Sequence, residues 1–586
     1  MSGSYSVRFT RWEREGQFST HETLLDAAQA LGVTLPAICG GSGTCGKCRV
    51  KILSGAPPPT AADRERLSAD ELDAGIRLAC CTVIEADMVV QGPEPELSLA
   101  PVLTRGTRPA IELQPDVRKK FIQLSPPGLE DNAFDYEDLL EGAGIEARSV
   151  ETPIDLLTRL PGRLRAANYQ GTVVTCGGHL LDFEAGDTTE RCFGFAVDLG
   201  TTTVVAKLVD LRDGRVRGTA ADINPQRDYG EDVISRLSYA RTHGIAPLQK
   251  AAIGILNHLF ERALKNAGQS PESVYQIVVA GNTVMQHLLA GLEPRYLAES
   301  PYVPVTRGPM RLAARDLDFN VHPDARVYVF PTLGRYVGGD TAAVLLALRS
   351  QIDRSWLALD IGTNGEILLS HRGRIYCCST AAGPAFEGGR IGCGMRASRG
   401  AIDRISRANG RWDLHVMGGG EAKGVCGSGL LDAMALFLEM NLIDETGRIV
   451  SGSGDEIALC DQVAITQRDI RELQLAKSAM ATGVGVLLRR ARLDPQQLDA
   501  CYLSGAFGQV MRPQHAQSIG LLPDVALERI LFIGNAACSG AEIALLSSAE
   551  RSALEALSRE VEHAELSIEP DFHDLYAENM MFKKRE

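Results

Sequence analysis

Cysteines and glycines are concentrated in one short stretch near the amino terminus. Cys39, Cys45 and Cys48 have the spacing C-x5-C-x2-C, and Cys80 follows well downstream. Thiolates are soft ligands, and a set of four suits zinc or an iron–sulfur cluster. Glycines between the cysteines allow positive φ angles, which turn backbone amides toward cluster sulfurs. Structural zinc sites more often contain two C-x2-C pairs, so an iron–sulfur cluster is favoured over zinc or plain thiols.

The number of residues between the first two cysteines indicates which kind of iron–sulfur cluster the cysteines would bind. Plant-type 2Fe–2S ferredoxins have a C-x4-C-x2-C spacing with a remote fourth cysteine. The additional residue here resembles the adrenodoxin-like branch of 2Fe–2S ferredoxins, and so does the segment "RLAC". That segment favours Cys80 over its neighbour Cys81, which would be a packed thiol. The expected ligands of a 2Fe–2S cluster are therefore Cys39, Cys45, Cys48 and Cys80.

A second group of residues with the chemistry of a binding site occurs twice. "VDLGTTTVV" and "LDIGTNGEI" each end an apolar strand with aspartate, followed by glycine and by hydroxyl or amide side chains. Glycine lets the backbone approach a phosphate, and the residues after it donate hydrogen bonds to phosphate oxygens. Two such turns can close on one nucleoside triphosphate from opposite sides. The candidate phosphate-binding residues are Gly200, Thr201, Thr202, Thr203, Gly362, Thr363 and Asn364.

The aspartates of these turns, Asp198 and Asp360, are the candidate catalytic residues. Carboxylates can hold Mg²⁺ through water or orient the water that attacks a phosphate. One Asp-x-Gly-Thr turn can be a plain hairpin, but two, each flanked by apolar strands, favour a nucleotide site. Farther on, "KGVCGSGLLD" opens a helix with glycines that would let backbone lie against an adenine or ribose. The candidates there are Gly424, Gly427, Ser428 and Gly429.

Charge and hydropathy limit the choice of partner. Lys and Arg total 60 and Asp and Glu total 74, a net charge of −14 that argues against nucleic acid. No apolar run reaches the roughly 18–20 residues that cross a bilayer, so no membrane partner is expected. The first residues have no signal-peptide core, which predicts a cytoplasmic protein whose cysteines are mostly thiols or metal ligands.

The elements that must position these residues change along the chain. Residues 1–94 are predicted to form a β-rich unit with one helix in "HETLLDAAQALGV", and residues 95–107 a Pro- and Glu-containing linker. Residues 108–190 mix strands and helices. In residues 191–586, a strand–turn–strand pattern in "FGFAVDLGTTTVVAKLVDL" recurs in "WLALDIGTNGEILLS". This internal repeat indicates two related α/β halves that face each other across a cleft.

The order of phosphate turn, connector, second phosphate turn and adenosine motif resembles the actin/sugar kinase/Hsp70 superfamily. The whole chain resembles the reductive activators of corrinoid enzymes, on "CGGSGTCGKC", "RLAC", "VDLGTTTV", "AGNTVMQHLL", "GGDTAA", "LDIGTNGEI", "AAGPAFEGG", "GVCGSGLLD" and "SGAFG". The resemblance implies a multidomain α/β protein. Its expected parts are an N-terminal β-grasp 2Fe–2S ferredoxin domain, a small α/β middle domain and a C-terminal two-lobed actin-like ATPase fold.

The resemblance also implies an activity. Proteins of this family use ATP hydrolysis to promote electron transfer from their cluster to Co(II) of a corrinoid protein, restoring Co(I) for methyl transfer. The implied cofactors are a 2Fe–2S cluster, ATP and Mg²⁺. The implied partners are a corrinoid protein of a methyltransferase system and an upstream low-potential electron donor, and self-association into a homodimer is left open.

Other activities are compatible with parts of the same pattern. One alternative is a small-molecule kinase of the actin-like superfamily with a redox-sensing ferredoxin domain, although no clear candidate pocket for its substrate stands out. Another is a simple electron-transfer module whose carboxyl-terminal half docks partners. Activators of 2-hydroxyacyl-CoA dehydratases share the ATPase fold but hold a 4Fe–4S cluster between subunits, and this chain has its own ferredoxin-like segment.

Several further residues are assigned from their context. The glycine-rich loop 381–403 is expected to wrap the nucleotide or contact the corrinoid protein, with a plain surface loop as the alternative. Cys377, Cys378 and Cys393 lack ligand spacing, so buried thiols are favoured over a second cluster. His287 lies on an apolar helix, which favours a core histidine over a cobalt ligand.

Overall fold

The chain folds into consecutive mixed α/β parts, as the sequence predicts. The structure, a computed structural model, describes residues 4–33, 35, 41, 43, 46–92, 103, 104, 106–408, 411–450 and 454–582. We refer to residues 4–92 as the amino-terminal domain, 106–190 as the small domain, 193–354 as the first lobe and 355–582 as the second lobe. Within the described ranges, no helix combines the length and the apolar character needed to cross a membrane.

The amino-terminal domain has a β-grasp arrangement. Its strands pair in the order β2–β1–β5–β3–β4, with β1 parallel to β5. The predicted helix is confirmed as α1, which Thr23 caps by accepting from the Asp26 amide. Leu24, Leu25 and Ala28 of this helix are buried against the sheet. In chain order the elements are β1 (Ser4–Phe9), β2 (Arg14–Ser19), α1 (Leu24–Ala30), β3 (Arg49–Ser54), α2 (Ala61–Arg66), α3 (Ala69–Asp73), β4 (Ile76–Leu78) and β5 (Met88–Gln91).

The small domain is an antiparallel sheet that packs against two helices. Leu140, Leu156 and Leu160 of the helices are buried against the sheet. A buried lysine joins this domain to the first lobe, because Lys119 Nζ donates to Tyr275 Oη at 2.9 Å. Its elements are β6 (Val117–Gln123), α4 (Asp135–Ala143), α5 (Ile154–Ala166), β7 (Gln170–Cys176) and β8 (His179–Ala185), with the strand order β6–β7–β8.

The first lobe is built on a mixed sheet with the strand order β11–β10–β9–β12–β14–β13. Strands β9 to β11 are antiparallel, whereas β9, β12 and β14 run parallel. Its elements are β9 (Phe193–Leu199), β10 (Thr203–Asp210), β11 (Val216–Ile223), α6 (Val233–His243), α7 (Ala246–Ala267), β12 (Val274–Gly281), α8 (Thr283–Ala290), α9 (Arg295–Ala298), β13 (Met310–Ala313), β14 (Arg326–Val329) and α10 (Gly339–Ala347).

The second lobe carries a central sheet with the strand order β24–β23–β15–β16–β17–β25 and smaller sheets at its periphery. Its elements are β15 (Trp356–Ile361), β16 (Gly365–His371), β17 (Arg374–Thr380), β18 (Ala401–Ala408), β19 (Arg411–Val416), β20 (Gly424–Val425), α11 (Gly427–Glu439), β21 (Glu456–Cys460), β22 (Val463–Thr466), α12 (Gln467–Ala491), β23 (Ala500–Ser504), α13 (Gly505–Val510), α14 (Pro513–Ser518), β24 (Ile530–Gly534), α15 (Ala536–Leu546), α16 (Ser548–Glu560), β25 (Glu562–His563) and α17 (Phe572–Met580).

The two lobes repeat one topology, which confirms the internal repeat. In both, a hairpin and a third antiparallel strand are followed by two parallel strands, β11–β10–β9–β12–β14 in one and β17–β16–β15–β23–β24 in the other. Helices α10 and α15 pack between the two sheets, where Leu345 and Leu545 share one hydrophobic core with Trp356. The turns after β9 and β15 therefore occupy equivalent positions in the two lobes.

Candidate functional site

Two of the four predicted cluster cysteines lie within the described residues and approach each other. Cys48 Sγ is 3.3 Å from Cys80 Sγ, close enough for both sulfurs to serve one metal centre. Cys81 Sγ lies 3.6 Å from Cys80 Sγ, so it neighbours the same place. Cys39 and Cys45 lie outside the described residues. The spatial pairing of Cys48 with Cys80 fits the ligand set that the spacing predicts.

The glycines of the cysteine loop have the conformation that a cluster requires. Gly41, Gly43 and Gly46 have φ angles of +89°, +74° and +66°. A Cβ at Gly43 would lie only 2.8 Å from Cys81 Sγ, so a larger residue has no room there. These residues fit a 2Fe–2S cluster, which Cys48 and Cys80 would help to hold.

Residues 200–203, the first set of predicted phosphate-binding residues, form a turn that we call the first phosphate turn. A buried asparagine holds this turn through hydrogen bonds. Asn224 Nδ2 donates to the Gly200 carbonyl at 2.9 Å, and the Asn224 amide donates to the Thr202 carbonyl at 2.8 Å. From the start of α8, Asn282 Nδ2 donates to Thr201 Oγ1 at 2.9 Å. Carbonyl groups of the turn thus point into the protein, which fixes its conformation.

Residues 362–364, the second set of predicted phosphate-binding residues, form a turn that we call the second phosphate turn. A carboxylate of loop 381–403 accepts hydrogen bonds from this turn. Glu387 Oε1 accepts from the Thr363 amide at 3.1 Å and from Thr363 Oγ1 at 2.7 Å. The Gly383 amide also donates to the Thr363 carbonyl at 2.9 Å. Loop 381–403 therefore contacts a predicted nucleotide-binding residue, and the contact with Glu387 had no distinguishing signal in the sequence.

An asparagine of the second lobe contacts the catalytic candidate of the first. Asn535 Nδ2 donates to Asp198 Oδ2 at 2.7 Å, and Asn535 Oδ1 caps α15 by accepting from the Cys538 amide at 2.7 Å. The carboxylate of Asp360 lies beside the "SGAFG" turn, because a Cβ at Gly505 would be 2.5 Å from Asp360 Oδ1. Asp198 therefore bonds to the second lobe, and Asp360 lies beside a turn of that same lobe.

Acidic side chains of the two lobes converge beside these contacts. Burial raises the pKa of Asp198 to about 6, opposed by the Asn535 hydrogen bond and reinforced by the charge of Asp360. Burial also raises the pKa of Asp340 to about 7, with the charges of Asp360 and Asp198 adding to the effect. The pKa of Asp360 is raised by burial. Burial and the charges of Asp340 and Asp360 hold the pKa of Glu366 well above its usual range.

Asp340 and Glu366 were not singled out from the sequence. Asp340 stands in "GGDTAA" at the start of α10, and Glu366 follows the second turn in β16 opposite Asp360. Their common position becomes visible only when the lobes are assembled. Among the described residues, no group of three or more His, Cys, Asp or Glu side chains is arranged to hold a metal ion by itself. Mg²⁺ usually takes one or two carboxylates and completes its shell with water and phosphates.

The glycines of the predicted adenosine motif face protein backbone. A Cβ at Gly427 would lie 1.8 Å from the Phe386 carbonyl oxygen, and one at Gly429 would lie 2.2 Å from that of Ile402. Gly424 is similarly close to backbone, and Ser428 Oγ donates to the Asp403 carbonyl at 2.8 Å. The visible role of these residues is close packing of α11 on loop 381–403. Contact with adenine or ribose stays a prediction.

The remaining candidates are structural. His287 is buried, with Nδ1 2.7 Å from the Thr283 carbonyl and Nε2 accepting from the Val305 amide at 3.0 Å. Burial lowers its pKa, which fits a neutral core histidine. Cys377 and Cys378 are buried in β17, and Cys393 Sγ donates to the Ala464 carbonyl at 3.1 Å, as expected for packed thiols.

Four family models match successive parts of the chain. Residues 11–85 match the 2Fe-2S iron-sulfur cluster binding domain. Residues 106–190 match the RACo linker region, and residues 193–354 the RACo middle region. Residues 354–586 match the C-terminal domain of RACo, the ASKHA domain. The chain is thus a 2Fe–2S protein with an ATP-binding domain of the ASKHA class.

Similar proteins cover between two thirds and nearly all of the chain. A solved structure of a reductive activator for a corrinoid iron–sulfur protein has 31% sequence identity and a TM-score of 0.71, covering 99% of this chain and 98% of that one. The corrinoid activation enzyme RamQ of Eubacterium limosum is 29% identical over 98% of this chain and 99% of that protein. A Co(II) methylated amine-specific corrinoid protein reductase of Methanosarcina barkeri is 25% identical over 66% of this chain and 76% of that protein. The chain belongs to the family of reductive activators of corrinoid proteins.

Proposed function

We propose that this chain is an ATP-dependent reductive activator that converts Co(II) of a corrinoid protein to Co(I). The observation that carries the proposal is that one chain contains a close Cys48–Cys80 pair and two repeated Asp-x-Gly-Thr turns whose aspartates belong to one buried acidic group. Its full-length likeness to a reductive activator supports the same activity. When bound, the 2Fe–2S cluster supplies the single electron that cobalt gains. We further propose an upstream low-potential donor that returns this electron.

ATP has a physical role in such a transfer. Plant-type 2Fe–2S ferredoxins have potentials near roughly −400 mV, and about 59 mV changes a one-electron equilibrium tenfold. Co(I) in a corrinoid is a very strong reductant, so simple contact would leave most of the cobalt as Co(II). Binding and hydrolysis of ATP would favour the conformation of the complex in which transfer is possible and then reset it.

The site residues are assigned to the following roles. Asp198 and Asp360 hold Mg²⁺ through water or orient the attacking water, and we add Asp340 and Glu366 to this acidic group. The phosphates are bound by Gly200, Thr201, Thr202, Thr203, Gly362, Thr363 and Asn364. The adenosine is contacted by the segment that contains Gly424, Gly427, Ser428 and Gly429. Cys39, Cys45, Cys48 and Cys80 are the proposed cluster ligands.

The organisation and setting that we propose follow the sequence. The domain boundaries are 1–94, 95–107, 108–190 and 191–586, with the last range containing both lobes. We propose the cytoplasm as the compartment, and sedimentation tests whether the chain forms a homodimer. The corrinoid partner is a methyl-carrying protein of a methyltransferase system.

The decisive experiment mixes the purified protein with a Co(II) corrinoid protein, a low-potential reductant and MgATP while the Co(I) absorbance is followed. We expect Co(I) to form with ATP and to fall strongly when ATP or Mg²⁺ is omitted. Cys45→Ala should abolish cobalt reduction and leave ATP binding unchanged. Equal Co(I) formation without ATP, or none with any candidate corrinoid protein, would contradict the proposal. Accumulation of a phosphorylated small molecule would instead favour a kinase.

A further inference from the structure

A short segment after β11 contacts three parts of the molecule. Residues 224–236, which we call the junction segment, run from Asn224 through a helical turn into α6. Asn224 is fully buried and bonds to the carbonyl groups of Gly200 and Thr202 at 2.9 and 2.8 Å. The beginning of the junction segment is thereby fixed to the first phosphate turn.

A buried arginine fixes the rest of the junction segment to the same turn. Arg236 Nη2 donates to the Thr201 carbonyl at 2.6 Å, and Arg236 Nε donates to the Gly230 carbonyl at 2.8 Å. Arg236 Nη1 donates to Gln226 Oε1 at 3.2 Å. The Arg236 guanidinium thus joins the first phosphate turn, the middle of the junction segment and α6. A movement of Thr201 would therefore shift all three.

The junction segment also contacts the second lobe. Glu231 accepts from Arg227 at 3.1 Å within the first lobe and forms an ion pair with Arg396 of loop 381–403. The same loop holds the second phosphate turn through Glu387 and Thr363. A change in the distance between the two lobes would therefore move Arg396 relative to Glu231.

The outer side of the junction segment receives the amino-terminal domain. Gln29 Nε2 of α1 donates to the Asp228 carbonyl at 2.6 Å. Beside this bond lies a groove of about 460 Å³ between α1 and α6, lined by Asp26 and Ala30 on one side and Tyr229, Tyr239 and His243 on the other.

The lobe side of this groove is an ordered aromatic surface. The Tyr229 and Tyr239 rings lie 4.9 Å apart, and Tyr239 stacks on His243 at 4.3 Å. On the domain side, Gly41 lies close to α1, because a Cβ at this position would be 3.7 Å from Leu25 Cδ2. Gly41 therefore lies beside α1, the helix that carries Gln29.

We propose that the junction segment couples nucleotide occupancy of the cleft to docking of the amino-terminal domain, with Gln29 and the aromatic groove as the docking site. The inference rests on the ATP-binding part of the proposed function and does not depend on cobalt reduction. Coupling between two binding equilibria is reciprocal. A nucleotide that changes docking must therefore have its own affinity changed by the same factor when docking is lost.

The test uses the full chain with its cluster. Gln29→Ala removes the hydrogen bond, and Ala30→Arg places a long side chain into the groove. Gln91→Ala and Ala86→Arg are matched controls at exposed positions of the same domain outside the docking site. Hydrogen exchange is measured in residues 24–30 and 225–243, with and without Mg²⁺ and a non-hydrolysable ATP analogue. Affinity for the analogue is measured by calorimetry on the same preparations, and cluster absorbance confirms folding.

We expect the analogue to change exchange in both segments of the wild-type protein. In Gln29→Ala and Ala30→Arg, residues 24–30 should exchange faster and no longer respond to the analogue, while residues 225–243 still respond. Analogue affinity should change by about 2–10-fold, the effect of one lost hydrogen bond, and stay at the wild-type value in both controls.

Two results would overturn the coupling. One is unchanged exchange in residues 24–30 of the wild-type protein when calorimetry shows that the analogue is bound. The other is a docking variant whose exchange and analogue affinity equal those of the wild type. Absence of analogue binding to the wild-type protein would contradict the proposed ATP site itself, and the coupling with it.

Discussion

The side-chain amide of Asn535 lies 2.7 Å from a carboxylate oxygen of Asp198, although the two residues belong to different lobes. Asn535 begins α15 in the second lobe, and Asp198 ends β9 in the first. The hydrogen bond therefore links the two lobes directly at Asp198, which we propose binds Mg²⁺ through water or orients the attacking water.

The first prediction separates this bond from the helix cap that the same residue provides. Asn535→Ser keeps a good N-cap for α15, but its shorter side chain loses the bonds to Asp198 and to the Leu103 carbonyl. We expect ATP hydrolysis to fall about tenfold, since a hydrogen bond to a charged group contributes about 1.5–3 kcal/mol. The unfolding temperature should fall by only a few degrees, as for the loss of one hydrogen bond with the helix cap kept. Asp494→Ser, an N-cap exchange at the surface, is the control, and unchanged hydrolysis in Asn535→Ser would contradict the assignment.

A second prediction concerns the repulsion within the acidic group. Asp340→Asn keeps the oxygen that accepts from the Thr341 amide at 2.7 Å and removes a charge close to Asp198 and Asp360. At pH 8 without Mg²⁺, we expect the unfolding temperature to rise by about 2–4 °C, as for a stabilisation near 1 kcal/mol. ATP hydrolysis with Mg²⁺ should fall. Differential scanning fluorimetry and phosphate release measure the two effects.

The control for that experiment is Asp461→Asn, at an exposed turn between β21 and β22. It should leave both the unfolding temperature and hydrolysis unchanged. Removing Mg²⁺ with a chelator should reduce the thermal stabilisation that ATP gives to the wild-type protein. A drop in the unfolding temperature of metal-free Asp340→Asn would show that the carboxylates do not repel one another.

The third prediction distinguishes the two adjacent cysteines. Cys80 Sγ is 3.3 Å from Cys48 Sγ, and Cys81 is the neighbour rather than the partner in that pair. Cys80→Ser should lose iron and the visible absorbance of the 2Fe–2S cluster, whereas Cys81→Ser should retain both. Iron content and the electron paramagnetic resonance spectrum of the reduced protein decide between them. Loss of iron only in Cys81→Ser would reverse the assignment.

The fourth prediction concerns the glycine-rich loop. Glu387→Ala frees the Thr363 amide and hydroxyl, the donors proposed to bind phosphate, and removes a negative charge beside them. We expect the dissociation constant of MgATP to fall about tenfold, as for a net gain near 1.4 kcal/mol. Calorimetry with Glu421→Ala, at an exposed turn, provides the comparison. Equal affinities in both variants would mean that Glu387 does not compete with phosphate for the Thr363 donors.

The sequence by itself determined the chemistry of the separate motifs. Cysteine spacing and intervening glycines predict a cluster loop because ligand type and backbone freedom are local properties. The repeated Asp-x-Gly-Thr turns predict phosphate binding and two related lobes for the same reason, and the repeated sheet topology confirms the lobes. The full-length order of motifs was sufficient to indicate the family.

Only the tertiary structure decided which distant residues act together. Asp340, Glu366 and Asn535 join Asp198 and Asp360 because the packing of α10 against α15 brings the lobes together. Gly427 and Gly429 are explained by close backbone approach, which no local pattern distinguishes from contact with a ligand. The contact between Gln29 and Asp228 joins residues of separate domains. Local sequence specifies turns and helix caps. The electrostatic field and the packing at each site depend instead on side chains that are far apart in the chain.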